Sequence, residues 1–348
     1  MRFDIRYRTL FTYNEHVSES QNELRACPTS DDCQRLLDYR VVVHPTARVF
    51  SYVDYWGTRV DSFGLRRPHL ALEVIAEASV ETRPRPLPTA APRFEQLERQ
   101  DFVDSHIEYL QRDRHTDGGS AVSAAAERQV GLTGPAVVGA TLAIHRFVGA
   151  NVLYQPGATE IGIQVDEVLA GGAGVCQDYA HLSVAMCRSL GIPARYVSGY
   201  LFTEDDSRGD DTEAESVVVQ THAWFEAAIP GWGWLALDPT NGQLVGERHV
   251  KIGHGRSYDD VKPQRGVFLG PASSDAHPTV EIRRVDGSDF WRSGGAVLPD
   301  TPLSTPHTFT PTVAPLPGAP LASLSQRTLH PPHPDDEHAR RQQQQQQQ

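Results

Sequence analysis

A chain of 348 residues, 39% hydrophobic and 22% charged, is long enough for about two domains of roughly 150 residues and reads as globular rather than fibrous. Its formal net charge of -12 argues against nucleic-acid backbones and anionic membranes as partners, because both are bound by an excess of Lys and Arg. Four cysteines are too sparse for a disulfide scaffold and suit a reducing compartment.

The elements follow in chain order. Phe3, Ile5, Tyr7, Phe11 and Tyr13 alternate with polar residues, the period-two pattern of a half-buried strand. Arg2, Asp4, Arg6 and Arg8 interrupt any apolar leader, so a cytoplasmic location is the expectation. Short β-rich runs follow at Leu36 to Val43, Val49 to Tyr55, Val60 to Phe63 and Leu70 to Val80. They predict an antiparallel β-sandwich-like domain over residues 1–82. Pro84, Pro86, Pro88 and Pro92 mark residues 83–93 as a linker. Beyond it, Phe94 to Leu110 and Gly134 to Val148 have helical apolar spacing, with a Gly/Ser/Ala-rich loop between them. The apolar stretch Pro135 to Ile144 is too short to cross a bilayer.

Three further segments carry little chemistry. Glu204 to Glu215 is an acidic insertion, expected to be a solvated loop, with a rim attracting amine or basic substrates as the functional alternative. Residues 291–348 are rich in Pro and His and end in seven glutamines, from which no core can be built, so a disordered tail is expected. Cys27 and Cys33 match no zinc spacing. The cluster of His330, His333 and His338 beside Asp335, Asp336 and Glu337 reads as solvated tail. No metal and no cofactor is expected.

Gly171-Gly172-Ala173-Gly174-Val175-Cys176 puts a cysteine after a glycine-rich turn, at the start of an amphipathic run that Gly191 and Pro193 end. Free N–H groups and the positive end of the helix dipole there favour a thiolate and can stabilise an oxyanion. His222 lies in a segment of strand composition, and Pro230-Gly231-Trp232-Gly233 turns the chain back toward Asp238, so the two can sit side by side. Cys176 as nucleophile, His222 as base and Asp238 as orienting carboxylate form a consistent set. Tyr154 and Gln155, just before the turn, are candidate oxyanion donors. His181, five residues past Cys176, lies about 140° round the helix and points elsewhere. His145 has no neighbouring motif and reads as structural. Arg195, Tyr200 and Trp224 are expected to frame the site or hold the sheet.

Gly-Val-Cys176-Gln-Asp-Tyr-Ala, Thr-His222-Ala-Trp-Phe-Glu and Trp-Leu-Ala-Leu-Asp238-Pro-Thr-Asn resemble the three core motifs of transglutaminase-like proteins. Leu190 to Tyr200 and Tyr258 to Gly270 resemble the same core. Asn22 to Arg25, Asp54 to Gly57 and Pro68-His69 resemble the β domain that precedes it in bacterial members. The resemblance covers roughly residues 1–290. It implies an α+β fold with a papain-like core over residues 94–290, whose cysteine helix packs on an antiparallel sheet carrying His and Asp. It also implies acyl transfer from an amide through a thioester, on a peptide or protein substrate, with a primary amine as a candidate acceptor and no cofactor. A cysteine peptidase or amidase using water, and a non-catalytic peptide- or protein-binding module on the same scaffold, are the alternatives.

Overall fold

The computed structural model describes residues 1–160, 162–203 and 217–285, with the backbone of 322–323. The acidic insertion and, apart from 322–323, the Gln-terminated tail lie outside the described residues. Six strands come first: β1 (Arg2–Val17), β2 (Glu19–Leu24), β3 (Gln34–His44), β4 (Val49–Val53), β5 (Arg59–Leu65) and β6 (His69–Thr82). Then follow α1 (Gln100–His106), α2 (Ser120–Thr133), α3 (Val137–Asn151), β7 (Leu153–Tyr154), α4 (Val165–Gly171), β8 (Ala173–Gly174) and α5 (Cys176–Ser189). The chain continues with β9 (Ala194–Leu201), β10 (Val217–Val219), β11 (Thr221–Ile229), β12 (Gly233–Asp238), β13 (Gln243–Leu244) and β14 (His249–Gly255). Last come α6 (Tyr258–Val261), β15 (Gln264–Leu269), β16 (Ser274–Arg284) and β17 (Ala322–Ser323).

The period-two pattern of β1 does what it requires: Phe3, Ile5, Tyr7, Phe11 and Tyr13 are buried. β1 is interior to an antiparallel sheet of order β10-β16-β1-β6-β3, while β2 enters a second sheet of order β17-β15-β2-β5-β4. Phe3, Leu72 and Val80 of the first share one core with Leu24, Phe63 and Phe268 of the second. Both sheets draw strands from beyond the Pro-rich linker: Ile5 pairs with Ile282, and Asn22 with Gly266. Strand pattern fixes which residues extend, but not which distant strand completes the ladder.

The second half builds a mixed α/β core on an antiparallel sheet of order β13-β12-β11-β9-β14. Phe225, Ala227, Ile229, Leu235 and Leu237 join the helical cluster formed with Val122, Ile144, Val168 and Leu182. Tyr200, Phe202, Val250 and Ile252 instead enter the core of the β domain, where the Phe3 and Phe202 rings are 5.1 Å apart. Among the described residues, no helix is long and apolar enough to cross a membrane.

Three expectations need correction. The Gly/Ser/Ala-rich segment contains a full helix, α2, whose Val122, Ala125, Ala126 and Gln129 are buried at helical spacing. Its alanines are the strongest helix formers, and Gly118 and Gly119 only precede it. The run Phe94 to Leu110 is not one helix but α1 between two single 3₁₀ turns. Lastly, α5 is not amphipathic, since every residue from Cys176 to Arg188 is buried. β9 and β11 cover it on one side and α2, α3 and α4 on others.

Burying such a helix requires partners for its polar groups. The Arg188 guanidinium donates to the carbonyls of Tyr109, Gln111, Ala194 and Arg256 and to Thr116 Oγ1. Burial lowers its pKa to about 10, so it stays charged at neutral pH and ties the residue 109–116 loop to α5. A second buried group spans three strands: Glu226 on β11 accepts from Arg195 on β9 at 2.6 Å and from Lys251 on β14 at 2.7 Å. Removing one partner of such a group leaves an uncompensated charge. Glu226→Gln is expected to destabilise the protein by roughly 3–5 kcal/mol in urea unfolding, and a change below about 1 kcal/mol would contradict a structural role for this network.

Candidate active site

The nucleophile candidate owes its place to a short parallel ribbon. β7 pairs with β8, Tyr154 opposite Gly174, and Gln155 N–H donates to the Gly174 carbonyl at 2.9 Å. Two residues later α5 begins at Cys176, which is buried at 5% exposure. Asp178 closes this first turn by accepting from Val175 N–H at 2.9 Å and from Thr159 Oγ1 at 2.6 Å. Burial nevertheless raises the Asp178 pKa, against those hydrogen bonds. A Cβ at Gly174 would stand 2.7 Å from Asp178 Oδ2, so this turn requires glycine. The Asp178 and Tyr179 amides donate to the Val175 carbonyl, whereas the Cys176 amide, at the first helical position, has no acceptor within its own helix.

β11 brings His222 to this point, near enough to the Cys176 side chain for the thiol to help raise the imidazole pKa. Its Nε2 lies 2.9 Å from Asp238 Oδ2, which leaves Nδ1 for the sulfur. The hairpin expected at Pro230 to Gly233 is present, with Phe225 paired to Leu237, and it sets Asp238 at the end of β12. The three residues singled out from the sequence are therefore brought together.

Asp238 is completely buried, and each of its oxygens has its own task. Oδ1 accepts from the Thr240 and Asn241 amides at 3.1 and 3.3 Å, the side-chain turn that an Asp before Pro forms. Oδ2 accepts from His222, from Asn241 Nδ2 at 2.8 Å and from His249 Nε2 at 3.1 Å. Burial opposes the charge, but the hydrogen bonds from His222, His249 and Asn241 outweigh it and hold the carboxyl far below the usual range.

Burial likewise works against a charged His222, yet its hydrogen bond to Asp238 and the nearby Cys176 side chain raise its pKa to about 10. His249 goes the other way, lowered by burial despite Asp238. Its Nδ1 accepts from Gly246 N–H at 3.2 Å, so Nε2 carries the ring's hydrogen. One ligand atom from each of His222, Asp238 and His249 lies within 4.8 Å of the others, a spacing that suits a metal. The Gly246 amide nevertheless occupies the lone pair of His249 Nδ1, and a ring metallated at Nε2 would need its hydrogen there. Hydrogen bonding accounts for all three groups.

Sequence reasoning missed His249, which no motif marks, and passed over Asn241 inside the third motif. His145, read as structural, is buried and donates from Nε2 to the Asp238 and Gln243 carbonyls, 3.3 Å each; it holds the backbone of the orienting residue. His181 is buried among His115 and Tyr196 and accepts from Tyr258 N–H, which accounts for it structurally. Tyr154 and Gln155 stand on the exposed ribbon before Cys176, and the Gln155 amide N–H, already given to Gly174, leaves only its side chain as a donor.

Residues 123–239 match the model of the transglutaminase-like superfamily, and residues 3–81 that of the bacterial transglutaminase-like N-terminal region. An uncharacterised protein of Mycobacterium leprae is 34% identical over 284 residues, 82% of this chain and 99% of that one. A protein-glutamine gamma-glutamyltransferase of Pseudomonas aeruginosa is 38% identical over 76 residues, 22% of this chain and 11% of that one. Among solved structures, a candidate cysteine protease from Cytophaga hutchinsonii superposes with a TM-score of 0.62 at 26% identity, covering 84% of this chain and 94% of that one.

Folding raises the His222 pKa from 6.5 to about 10, so the native state holds this proton more tightly than the unfolded chain does. The resulting stabilisation is complete below pH 6.5 and is lost as pH rises through about 10. Unfolding free energies of the wild type and His222→Gln are expected to differ most near about pH 6 and to converge toward about pH 10.5. A gap that stays constant over this range would show that His222 is not charged in the folded protein.

Proposed function

The chain belongs to the transglutaminase-like superfamily, and from that premise we propose that it is a cysteine-dependent enzyme that transfers acyl groups from amide bonds. One observation carries this reading: the His222 ring is hydrogen-bonded to a buried carboxylate and stands near enough to the Cys176 side chain for the thiol to raise the imidazole pKa. A thiolate beside an imidazolium that cannot reorient is the arrangement that nucleophilic attack on an amide needs.

The Cys176 thiolate attacks the carbonyl carbon, and the carbonyl electrons move to oxygen. Collapse of that oxyanion breaks the C–N bond while His222 gives its proton to the departing nitrogen, as ammonia from a carboxamide or an amine from a peptide. The thioester is then attacked by an incoming primary amine, whose proton His222 takes as the thiolate leaves. Asp238 holds Nε2 throughout and keeps Nδ1 turned to the sulfur. The Cys176 amide, with Tyr154 or the Gln155 side chain, would receive the oxyanion. Every step uses groups of this chain.

Water replacing the amine is the second reading, supported by the likeness to the Cytophaga candidate protease over most of both chains. Transfer to an amine is supported by the segment shared with the Pseudomonas glutamyltransferase. The substrate proposed in either case is a peptide or protein. The four cysteines are free, which supports a reducing, cytoplasmic setting.

The test is incubation of the wild type, Cys176→Ala and Tyr154→Phe with a glutamine-rich protein and a labelled primary amine, read by intact and peptide mass spectrometry. Amine incorporation that vanishes in Cys176→Ala is expected, with cleavage or deamidation alone favouring the hydrolase. A Tyr154 hydroxyl that binds the oxyanion is worth roughly 2.7–4 kcal/mol, or about 10²–10³ in rate, and an unchanged rate in Tyr154→Phe removes it. Products that form equally in Cys176→Ala would end the cysteine mechanism.

A further inference from the structure

His249 belongs to none of the three motifs, yet the fold carries it to the carboxylate that orients His222. β14 and β11 are not neighbours; both pair with β9, which lies between them. His222 stands opposite Gly199 on β9, and Lys251, two residues past His249, pairs with that same Gly199 from the other side. The missing side chain matters here: a Cβ on Gly199 would lie 2.5 Å from the Trp224 ring and 2.3 Å from the Val250 carbonyl oxygen. Glycine lets the Trp224 ring cross β9 and meet the His249 ring edge-on, with centroids 5.3 Å apart.

The hydrogen atoms on His249 follow from its partners. Gly246 N–H can donate to Nδ1 only if that nitrogen carries no hydrogen, so the neutral ring has its hydrogen on Nε2. Nε2 is 3.1 Å from Asp238 Oδ2, and the ring is 4% exposed, so water has little room to replace it. His249 therefore gives Asp238 a fixed, uncharged donor, whereas His222 gives it one whose charge changes during the proposed reaction.

We propose that His249 is a positioning residue of this site: its Nε2–H holds Asp238 Oδ2 in place, so that the carboxylate keeps the His222 ring turned toward Cys176. The inference rests on the reading of Cys176, His222 and Asp238 as the reaction centre. Asn241 Nδ2 shares the task from the exposed side. With His249 removed, the buried oxygen loses one of its three side-chain donors, and the carboxylate is held less firmly against turning about its bond to Cβ. The His222 ring would then lose its fixed aim on the sulfur while the rest of the sheet remained in place.

The test uses the full chain and needs no substrate. The rate at which iodoacetamide alkylates Cys176 is measured by peptide mass spectrometry, with the partly exposed Cys33 as reference thiol. It is compared among the wild type, His249→Leu, His249→Gln and His222→Ala, with thermal unfolding of each. Leu fills similar volume without a donor, whereas the Gln amide can place an N–H where Nε2–H stood. His249→Leu is expected to slow Cys176 about tenfold or more relative to Cys33, the order of a lost hydrogen bond to a charged group. His249→Gln is expected to recover most of that rate, even if both variants unfold at the same lower temperature. Wild-type labelling in His249→Leu, or equal slowing in both His249 variants, would overturn the proposal. If His222→Ala also leaves the Cys176 to Cys33 ratio unchanged, the fault lies in the reading of the reaction centre itself.

Discussion

A carboxylate with no exposed surface cannot stay charged on its own, because stripping it of water costs several kcal/mol after the protein has relaxed. Asp238 stays charged because five hydrogen bonds reach its two oxygens, and hydrogen bonds to a charged group contribute roughly 1.5–3 kcal/mol each. Those donors come from the turn after β12, from β11 and from β14, while α3 holds the Asp238 carbonyl through His145. Four separate parts of the fold thus converge on one residue. The charge they sustain is what allows His222 to hold a proton beside a thiol in a buried place.

The rest of the architecture keeps that convergence rigid. α5 delivers Cys176 from a helix buried on all sides, whose Asp178, His181 and Arg188 are met by fixed partners rather than by solvent. The β domain does more than precede the core. It supplies the other face for Tyr200, Phe202, Val250 and Ile252, and Gln34 bonds both the amide and the carbonyl of Lys251 on β14. β14 also carries His249, so the β domain braces the strand that steadies Asp238.

The local parts of this arrangement were legible in the sequence. A glycine-rich turn, a helix start at Cys176, a His on a strand and an Asp at the end of the returning hairpin strand are patterns each written within a short local stretch of sequence. One Asp238 oxygen forms the side-chain turn typical of an Asp before Pro, and the other bonds His222, the contact that the proposed catalytic role requires. What stayed hidden depends on register between distant strands. His249 reaches Asp238 only because β9 lies between β11 and β14, and a short segment holding one histidine carries no sign of that. The return of β15 and β16 to the first sheets is hidden for the same reason. The helix α2 was missed because glycines beside it spoke louder than its alanines, and the all-round burial of α5 because Asp178, His181 and Arg188 look like a solvent face until their partners are known.

The most direct measurement is the protonation state of His222 in the native protein, read from its ring ¹⁵N chemical shifts in a pH titration of the wild type, with Asp238→Asn for assignment and comparison. If the buried Asp238 carboxylate and Cys176 together hold the proton, both ring nitrogens stay protonated through neutral pH, the ring loses its proton near about 10, and Asp238→Asn moves that transition to lower pH. A His222 ring that is neutral at pH 7, or that titrates near the ordinary 6.5 in both proteins, would contradict the central role given to Asp238.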